Sequence, residues 1–233
     1  MSTEAGRIDT ARGTTPKDLV VDGGIVRYTA RERTTHWIVA LAFILAAVSG
    51  LAMFHRAVFW FGVFFGGGTW TRVLHPFIGL FMLLAFVFLA LLVQSGNRMT
   101  AADWQWLRQW RDVVASREER LPEVGRYNGG QKLIFFVQIL CLALLLLSGI
   151  VIWRPYFALY FPIPLIRAAG LVHAICAFVL IVAIIVHVYA GIWVRGSVRA
   201  MTRGVVSPGW AWKHHRAWFR EVTSGTRPRP RTD

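Results

Sequence analysis

Acidic residues are scarce in this sequence, and none falls within its long apolar stretches. The 233 residues include 12 Asp and Glu against 26 Lys and Arg. Four stretches of about 20 residues contain no Asp, Glu, Lys or Arg, and that is the length needed to cross a bilayer core. Without carboxylates in these stretches, the chain lacks the buried relay that proton pumps use. It also has no Walker-type loop, zinc motif or nucleophile elbow.

Cysteine is scarce as well. Cys141 and Cys176 both lie inside apolar stretches, where we expect small packing residues rather than a disulfide or a metal site. No C-x-x-C-H sequence for covalent haem attachment is present. Any haem would therefore be bound without thioether links.

The apolar stretches predict an all-α membrane protein. Hydrophobic residues make up 55% of the chain, and its mean hydropathy is +0.48. Because backbone groups inside a bilayer have no water to bond, each stretch must form a helix. The sequence predicts a four-helix transmembrane bundle with spans at about 36–55, 73–94, 133–153 and 168–194.

The positions of Lys and Arg predict the orientation of these spans. Of the 26 basic residues, 22 fall before span one, between spans two and three, or after span four. The positive-inside rule therefore places both termini and the loop at 95–131 in the cytoplasm. Topology and contact with anionic lipid account for the net charge of +14, so nucleic acid is not expected as a partner.

The two ends of the chain are polar. Residues 1–25 lack the continuous apolar core of a cleaved signal peptide and are predicted to be a disordered cytoplasmic terminus. Residues 223–233 are predicted to be a disordered Arg/Pro tail. Between them lies a predicted transmembrane domain at 26–222, which ends in an interfacial helix on the cytoplasmic face. His214 and His215 of that helix are predicted to be solvated.

The cytoplasmic loop at 95–131 contains two local patterns. Trp106 and Trp110 are four residues apart and would share one face of an interfacial helix. Asn128, Gly129 and Gly130 mark a turn immediately before the third span.

The two outer connections, at 56–70 and 153–164, are aromatic, nearly uncharged and broken by Gly or Pro. Such segments are typical of an aromatic belt at the membrane interface. Exposed apolar surface also marks docking sites for other proteins. The two interpretations are compatible.

Five histidines, at positions 36, 55, 75, 173 and 187, lie within or beside the spans, where ionisable residues are costly and usually functional. His173 and His187 are 14 residues apart, close to four helical turns, so they share a face and lie about 21 Å apart along the axis. By the predicted topology His173 is near the outer surface, at the depth of His75 in span two. His187 lies toward the cytoplasm, at the depth of His36 in span one. Each pair draws its members from two helices, as ligation within a helix bundle requires.

Imidazole is a common axial ligand of haem iron, and two imidazoles on one iron leave no open position, which favours electron transfer. The pattern predicts two b-type haems, with His75 and His173 on the outer one and His36 and His187 on the inner one. For any single histidine, an interhelical hydrogen bond is the alternative. His55 has no partner at its depth and is predicted to be structural.

Seven segments carry a resemblance to a known family. They are RTTHW (33–37), LHPFIG (74–79), VGRYNGGQK (124–132), GIVIWRPYFALYFP (149–162), LVHAICA (171–177), IVHVYAGIWVRGS (185–197) and WKHHRAWFRE (212–221). With them the sequence resembles the gamma, or cytochrome b556, subunit of respiratory membrane-bound formate dehydrogenase. The resemblance covers about residues 25–222.

The resemblance implies four transmembrane helices with both termini inside, in a bacterial inner membrane, and two haems b on the ligand pairs given above. It also implies a quinone site by the inner haem, at or near Asn128, Gly130 and His187. The implied partners are an iron-sulfur beta subunit with its own transmembrane helix and, through it, a molybdenum or tungsten catalytic alpha subunit. The sequence departs from the family in its longer N-terminus, its three consecutive glycines at 66–68 and its Arg/Pro tail.

The sequence therefore predicts a subunit that takes electrons from an iron-sulfur partner at the periplasmic side and delivers them to quinone near the cytoplasm. Such a subunit does not oxidise formate by itself. Asn128 would hydrogen-bond a quinone carbonyl, or it would be a turn residue alone. Two other functions stay open, the cytochrome b subunit of a nickel-iron hydrogenase or related reductase, and a haem-free membrane anchor.

Overall fold

The computed structural model describes residues 20–21 and 24–224 of the chain. Most of the two segments predicted to be disordered, 1–25 and 223–233, lies outside the described residues. Along the described chain the structure is largely helical, and it divides into two compact units.

Four helices are long and apolar enough to cross a membrane, as predicted. They are α1 (Ala30–Phe54), α2 (Gly68–Val93), α5 (Gly129–Ile152) and α6 (Ile163–Trp193). Each begins four to six residues before its predicted span, because the predicted spans were limited to charge-free sequence. The first turns of real helices extend into the polar headgroup region, where charged side chains such as Arg31 and Arg33 are tolerated.

One compact unit comprises residues 30–97 and 132–195 and contains the transmembrane bundle. All four long helices contribute to its buried core, which consists of Ala42, Met82, Phe86, Cys141, Leu142, Cys176 and Leu180. Both cysteines are free and buried in this core, so they act as packing residues, as expected. The chain is a multi-pass membrane protein.

Large apolar side chains cover the outside of the same helices. Leu41, Leu84, Phe178 and Ile185 are each more than 60% exposed. An exposed apolar surface of this extent is unfavourable in water but is the ordinary surface of a protein in lipid.

A 3₁₀ helix at Arg56–Phe65 connects α1 to α2. It ends at Gly66 and Gly67, whose φ angles of 85° and 96° lie in the left-handed region that favours glycine. Gly66 and Gly67 thus provide a tight reversal of the chain before α2.

The second compact unit comprises, among the described residues, 20–21, 24–29, 98–131 and 196–224. Its three-stranded antiparallel sheet has the order β1 (Val20–Val21), β2 (Gly24–Val26), β3 (Val205–Val206). The strands β1 and β2 fall at the end of the segment predicted to be disordered. Three short helices follow α6, namely α7 (Ser197–Arg203), α8 (Pro208–His214) and α9 (Arg216–Ser224). The core of this unit is formed by Ile25, Ala200, Val206, Ala211, Trp218 and Val222.

The helix predicted to carry Trp106 and Trp110 is divided. Helix α3 (Ala101–Arg108) and helix α4 (Trp110–Val114) are separated by Gln109, whose ψ of 28° is not helical. The backbone N–H of Gln109 bonds back to the carbonyls of Gln105 and Trp106, which closes α3. The prediction that Trp106 and Trp110 share one continuous helix is therefore wrong.

Candidate functional site

The four predicted ligand histidines come together in two pairs. The ring centroids of His75 and His173 are 6.3 Å apart, and those of His36 and His187 are 6.2 Å apart. We call them the outer pair and the inner pair, after their predicted depths. Helix α6 contributes one histidine to each pair, while α2 supplies the second member of the outer pair and α1 that of the inner pair.

The apolar core separates the two pairs along α6. Cys176 and Leu180 follow His173 by one and two turns and are both buried in that core. His187 follows Leu180 by two further turns. The bundle therefore has two pairs of imidazoles at two depths, with packed apolar side chains between them.

The spacing within each pair fits two imidazoles on opposite sides of one iron. A metal to imidazole nitrogen bond of about 2 Å places the centroids of two such rings about 6 Å apart. Direct contact between two rings gives similar distances, so the spacing alone does not distinguish the two arrangements. The hydrogen bonds of the outer pair provide a second observation.

Each histidine of the outer pair is hydrogen-bonded to a buried serine through Nδ1. Oγ of Ser49 in α1 lies 2.9 Å from Nδ1 of His75, and Oγ of Ser148 in α5 lies 3.0 Å from Nδ1 of His173. The serines are 0% and 5% exposed. With Nδ1 engaged, Nε2 is the nitrogen left to bind a metal, as in most histidine metal sites. The outer pair therefore fits haem iron in chemistry as well as in spacing.

A glycine follows each of these serines and gives the imidazole room. A Cβ on Gly50 would stand 3.2 Å from Cε1 of His75, and one on Gly149 would stand 3.5 Å from Cε1 of His173. Neither Ser-Gly pair was predicted from the sequence. The signal that reveals them is their similar separation from a histidine, 26 residues from Ser49 to His75 and 25 from Ser148 to His173.

The inner pair differs from the outer pair. Nδ1 of His36 is buried and has no hydrogen-bond partner among the residues that the structure describes. Its ring meets Trp37 edge to face at a centroid distance of 5.4 Å. The inner pair thus has the same spacing as the outer pair without the serine contact on His36.

His55 has a structural role, as predicted. Its Nδ1 accepts a hydrogen bond of 3.2 Å from the backbone N–H of Ala57, and it caps the 3₁₀ helix that follows. A side-chain acceptor at this position satisfies a backbone donor that the helix leaves unpaired.

Asn128, predicted as a turn residue or a quinone ligand, precedes the first residue of α5. Its Oδ1 accepts a hydrogen bond of 2.9 Å from the backbone N–H of Gln131, and its own N–H donates to Oε1 of Gln131 over 3.0 Å. These reciprocal bonds form a capping box. Asn128 is therefore the N-cap residue of α5, whereas Gly129 and Gly130, predicted with it as a turn, are the first residues of that helix. The Oδ1 bond leaves the amide NH₂ group of Asn128 as a donor for a ligand.

Gly130 has a packing role in the structure. A Cβ on it would stand 3.0 Å from Cζ3 of Trp106, and one on Gly129 would stand 2.6 Å from the carbonyl oxygen of Asp103. The two glycines thus allow α3 to pack closely against the beginning of α5. Close packing accounts for Gly130 without a ligand, and its quinone role stays a prediction.

A buried cationic cluster in the second unit was not predicted. Arg27 is 1% exposed, and its guanidinium lies over the ring of Trp218 at 4.7 Å from the centroid. It donates to the carbonyl of Arg126, and Nη2 of Arg126 donates in return to the carbonyl of Arg27 over 3.0 Å. A cation desolvated in this way is stabilised by aromatic faces and by carbonyl acceptors.

His215 completes this cluster, so the prediction that it is solvated is wrong. It is 2% exposed, and its Nδ1 lies 2.8 Å from the carbonyl of Gly125. Nε2 lies 3.1 Å from Nη2 of Arg27, and because arginine can only donate, Nε2 must accept and Nδ1 must carry the proton. Burial, followed by the charge of Arg27, lowers the pKa of His215 well below its ordinary value. His215 is therefore a neutral bridge between two distant segments.

Comparison with known proteins covers nearly all of the described chain. The family model of prokaryotic cytochrome b561 matches residues 27–204, a range that contains both histidine pairs. The chain is 46% identical to the "Formate dehydrogenase, cytochrome b556(fdo) subunit" of Escherichia coli K12 over 202 residues, which are 87% of this chain and 95% of the relative. It is 39% identical over 198 residues to the nitrate-inducible formate dehydrogenase cytochrome b556(Fdn) subunit of the same strain, covering 85% of this chain and 91% of the relative. It is 38% identical over 200 residues to the formate dehydrogenase cytochrome b556 subunit of Haemophilus influenzae, covering 86% and 84%.

Proposed function

The chain belongs to the prokaryotic cytochrome b561 family, with the cytochrome b556 subunits of formate dehydrogenase among its relatives, and on this premise we propose that it is the membrane cytochrome subunit of a respiratory formate dehydrogenase. It anchors the complex and carries electrons, while formate is oxidised elsewhere in the complex. The observation that carries this proposal is the presence of two imidazole pairs at two depths of one membrane bundle.

The proposed cofactors are two non-covalent haems b. His75 and His173 hold the outer one, and His36 and His187 hold the inner one. When bound in this way, haem iron with two histidine ligands supplies one-electron transfer and leaves no position for O₂ or substrate. The protein orients the imidazoles and separates the two sites with apolar side chains.

The proposed electron path runs inward across a bacterial inner membrane, with both termini in the cytoplasm. The distribution of Lys and Arg supports this orientation. Moving one electron toward the negative interior costs about 2.3 kcal/mol per 100 mV of membrane potential. A low-potential donor such as formate supplies that energy, and charge crosses the membrane without a proton pump.

The proposed electron acceptor is a quinone reduced near the cytoplasmic side. The amide NH₂ group of Asn128 donates a hydrogen bond to a quinone carbonyl, while its Oδ1 holds the first turn of α5. The proposal is supported by the use of different atoms for the two roles, since Oδ1 caps the helix and the NH₂ group is left for the ligand.

The proposed partners are an iron-sulfur subunit with its own transmembrane helix and, through it, a molybdenum or tungsten catalytic subunit. The outer connections support a docking role, because Leu159 and Tyr160 are 89% and 82% exposed. The two connections, at 56–70 and 153–164, contain no Asp or Glu and one arginine each. Their arginines therefore favour an acidic partner surface.

A formate-reduced minus oxidised absorption spectrum of membranes that contain the whole complex tests this function. We expect b-type haem bands with formate, none with hydrogen, and two haems per chain in the purified complex. Reduction by hydrogen but not by formate would instead indicate a hydrogenase subunit. A purified complex without haem would indicate a membrane anchor.

A further inference from the structure

The serine contacts of the outer pair fix the position of a proton. Ser49 Oγ lies 2.8 Å from the carbonyl oxygen of Leu45, one turn earlier in α1, and Ser148 Oγ lies 2.6 Å from that of Leu144 in α5. Because a carbonyl oxygen can only accept, each serine hydroxyl donates its single hydrogen bond to the backbone. The serine oxygen then faces the histidine as an acceptor.

The neighbouring histidine must therefore carry its proton on Nδ1. His75 and His173 each donate from Nδ1 to a serine oxygen, and Nε2 of each keeps its lone pair. An acceptor on the Nδ1–H group fixes the ring orientation and makes the imidazole a stronger donor to a metal. Both ligands of the outer iron receive this contact.

The inner pair does not match this arrangement. Nδ1 of His36 makes no hydrogen bond with any residue in the described part of the chain. One imidazole of the inner pair thus lacks the acceptor that both imidazoles of the outer pair have. Haem irons held by the two pairs would therefore have electronically different ligands, although the spacing of the rings is nearly the same.

We propose that Ser49 and Ser148 are positioning residues that hold His75 and His173 in the Nδ1–H form and thereby lower the midpoint potential of the outer haem below that of the inner haem. A ligand with more electron density stabilises the ferric state, so the outer haem gives up its electron more readily. The step concerned is transfer of one electron from the outer ferrous iron to the inner ferric iron, with no bond or proton exchanged. The donor that reduces the outer iron again is the iron-sulfur partner, so this inference rests on the proposed function.

The functional consequence is that the difference in midpoint potential between the two haems favours electron transfer from the outer haem to the inner one. Electrons moving inward travel against the membrane potential. A lower potential at the outer haem than at the inner haem offsets part of that cost within this subunit. The two serines would set this difference through the imidazoles that they contact.

A redox titration of the whole purified complex, followed at the haem absorption bands, tests the proposal. The variants are Ser49→Ala, Ser148→Ala and their combination, and the His173→Ala spectrum identifies the outer haem. We expect the outer midpoint to rise with each change and further with both, while the inner midpoint stays constant as an internal control. A tenfold shift in the ferric to ferrous ratio corresponds to about 59 mV for one electron.

Conservative variants separate positioning from packing. Ser→Thr at either position keeps the hydroxyl and should restore the original midpoint. Ser→Cys keeps the volume but has a weak acceptor, and it should raise the midpoint even if the Ala variant loses the outer haem. An unchanged outer midpoint in the Cys variants or the double Ala variant, equal shifts of both haems, or loss of the outer haem in the Thr variants would overturn the proposal. Failure of the proposed function is distinguishable, because it would appear in the unmodified complex as absent haem or as reduction by another donor.

Discussion

Gly50 lies directly against the ring of His75, so that a Cβ on it would stand only 3.2 Å from Cε1 of the imidazole. On the opposite side of the outer pair, a Cβ on Gly149 would stand 3.5 Å from Cε1 of His173, which is an ordinary van der Waals distance. The backbone of α1 thus limits the position of His75 more tightly than the backbone of α5 limits that of His173. This asymmetry allows a graded test of the outer site.

Gly50→Ala should displace His75 by a few tenths of an ångström and weaken retention of the outer haem about tenfold, the low end of effects seen when ligand orientation is disturbed. Gly149→Ala should retain both haems. Haem quantification on the purified complex is the measurement. The control is Gly209→Ala, since a Cβ at Gly209 would meet no atom of the described chain within 4 Å. Equal haem loss in the Gly50 and Gly149 variants would contradict this prediction.

His173→Ala and His187→Ala should each remove one haem, because each imidazole belongs to a different pair. Difference spectra of the two variants should then show different remaining haems, with quinone reduction affected more by the second change. His55→Ala is the matched control, because His55 caps the 3₁₀ helix and belongs to neither pair, and it should retain both haems. Loss of both haems from either single variant would leave no support for the pairing.

The fold and the histidine pairs were predictable because both depend on simple periodicity. A charge-free run of about 20 residues specifies a membrane helix, and 3.6 residues per turn relates His173 to His187. The structure brings together the same partners that depth had matched. Ser49 and Ser148 were not predictable in this way, because a small polar residue in an apolar helix produces no periodic pattern and acquires its role only when another helix presents a histidine.

The buried state of His215 depends on contacts that are distant in sequence. Its partners Gly125 and Arg27 are 90 and 188 residues away. Locally it stands among basic residues, which is the pattern of a solvated surface helix. His215 becomes buried only when three separate segments fold into one unit, so its burial could not be predicted from the neighbouring sequence.

The second unit should lose stability as the pH falls below about 6.5, the ordinary pKa of histidine. Burial and Arg27 lower the pKa of His215 in the folded state. The unfolded state therefore binds more protons below pH 6.5, so stability is present above that pH and is lost progressively as the pH falls below it. Hydrogen exchange of residues 197–224 in the intact complex measures this effect. His215→Gln should reduce the pH dependence, and an unchanged pH profile in that variant would contradict the assignment.

Asn128 allows the helix cap to be separated from ligand binding, because the two roles use different atoms. Asn128→Asp keeps an oxygen acceptor for the N–H of Gln131 and removes the amide donor, so it should preserve the stability of α5 but slow quinone reduction. Asn128→Ala removes both atoms and should in addition cost about 1 kcal/mol of stability, typical of a lost N-cap. Gln131→Ala is the matched control, since it breaks the return bond to the backbone N–H of Asn128 and leaves the amide donor in place. The measurements are formate-driven quinone reduction, haem reduction by formate and thermal unfolding of the complex. Haem reduction should be normal in all three variants, and full quinone reduction by Asn128→Asp would show that the side chain serves only the helix.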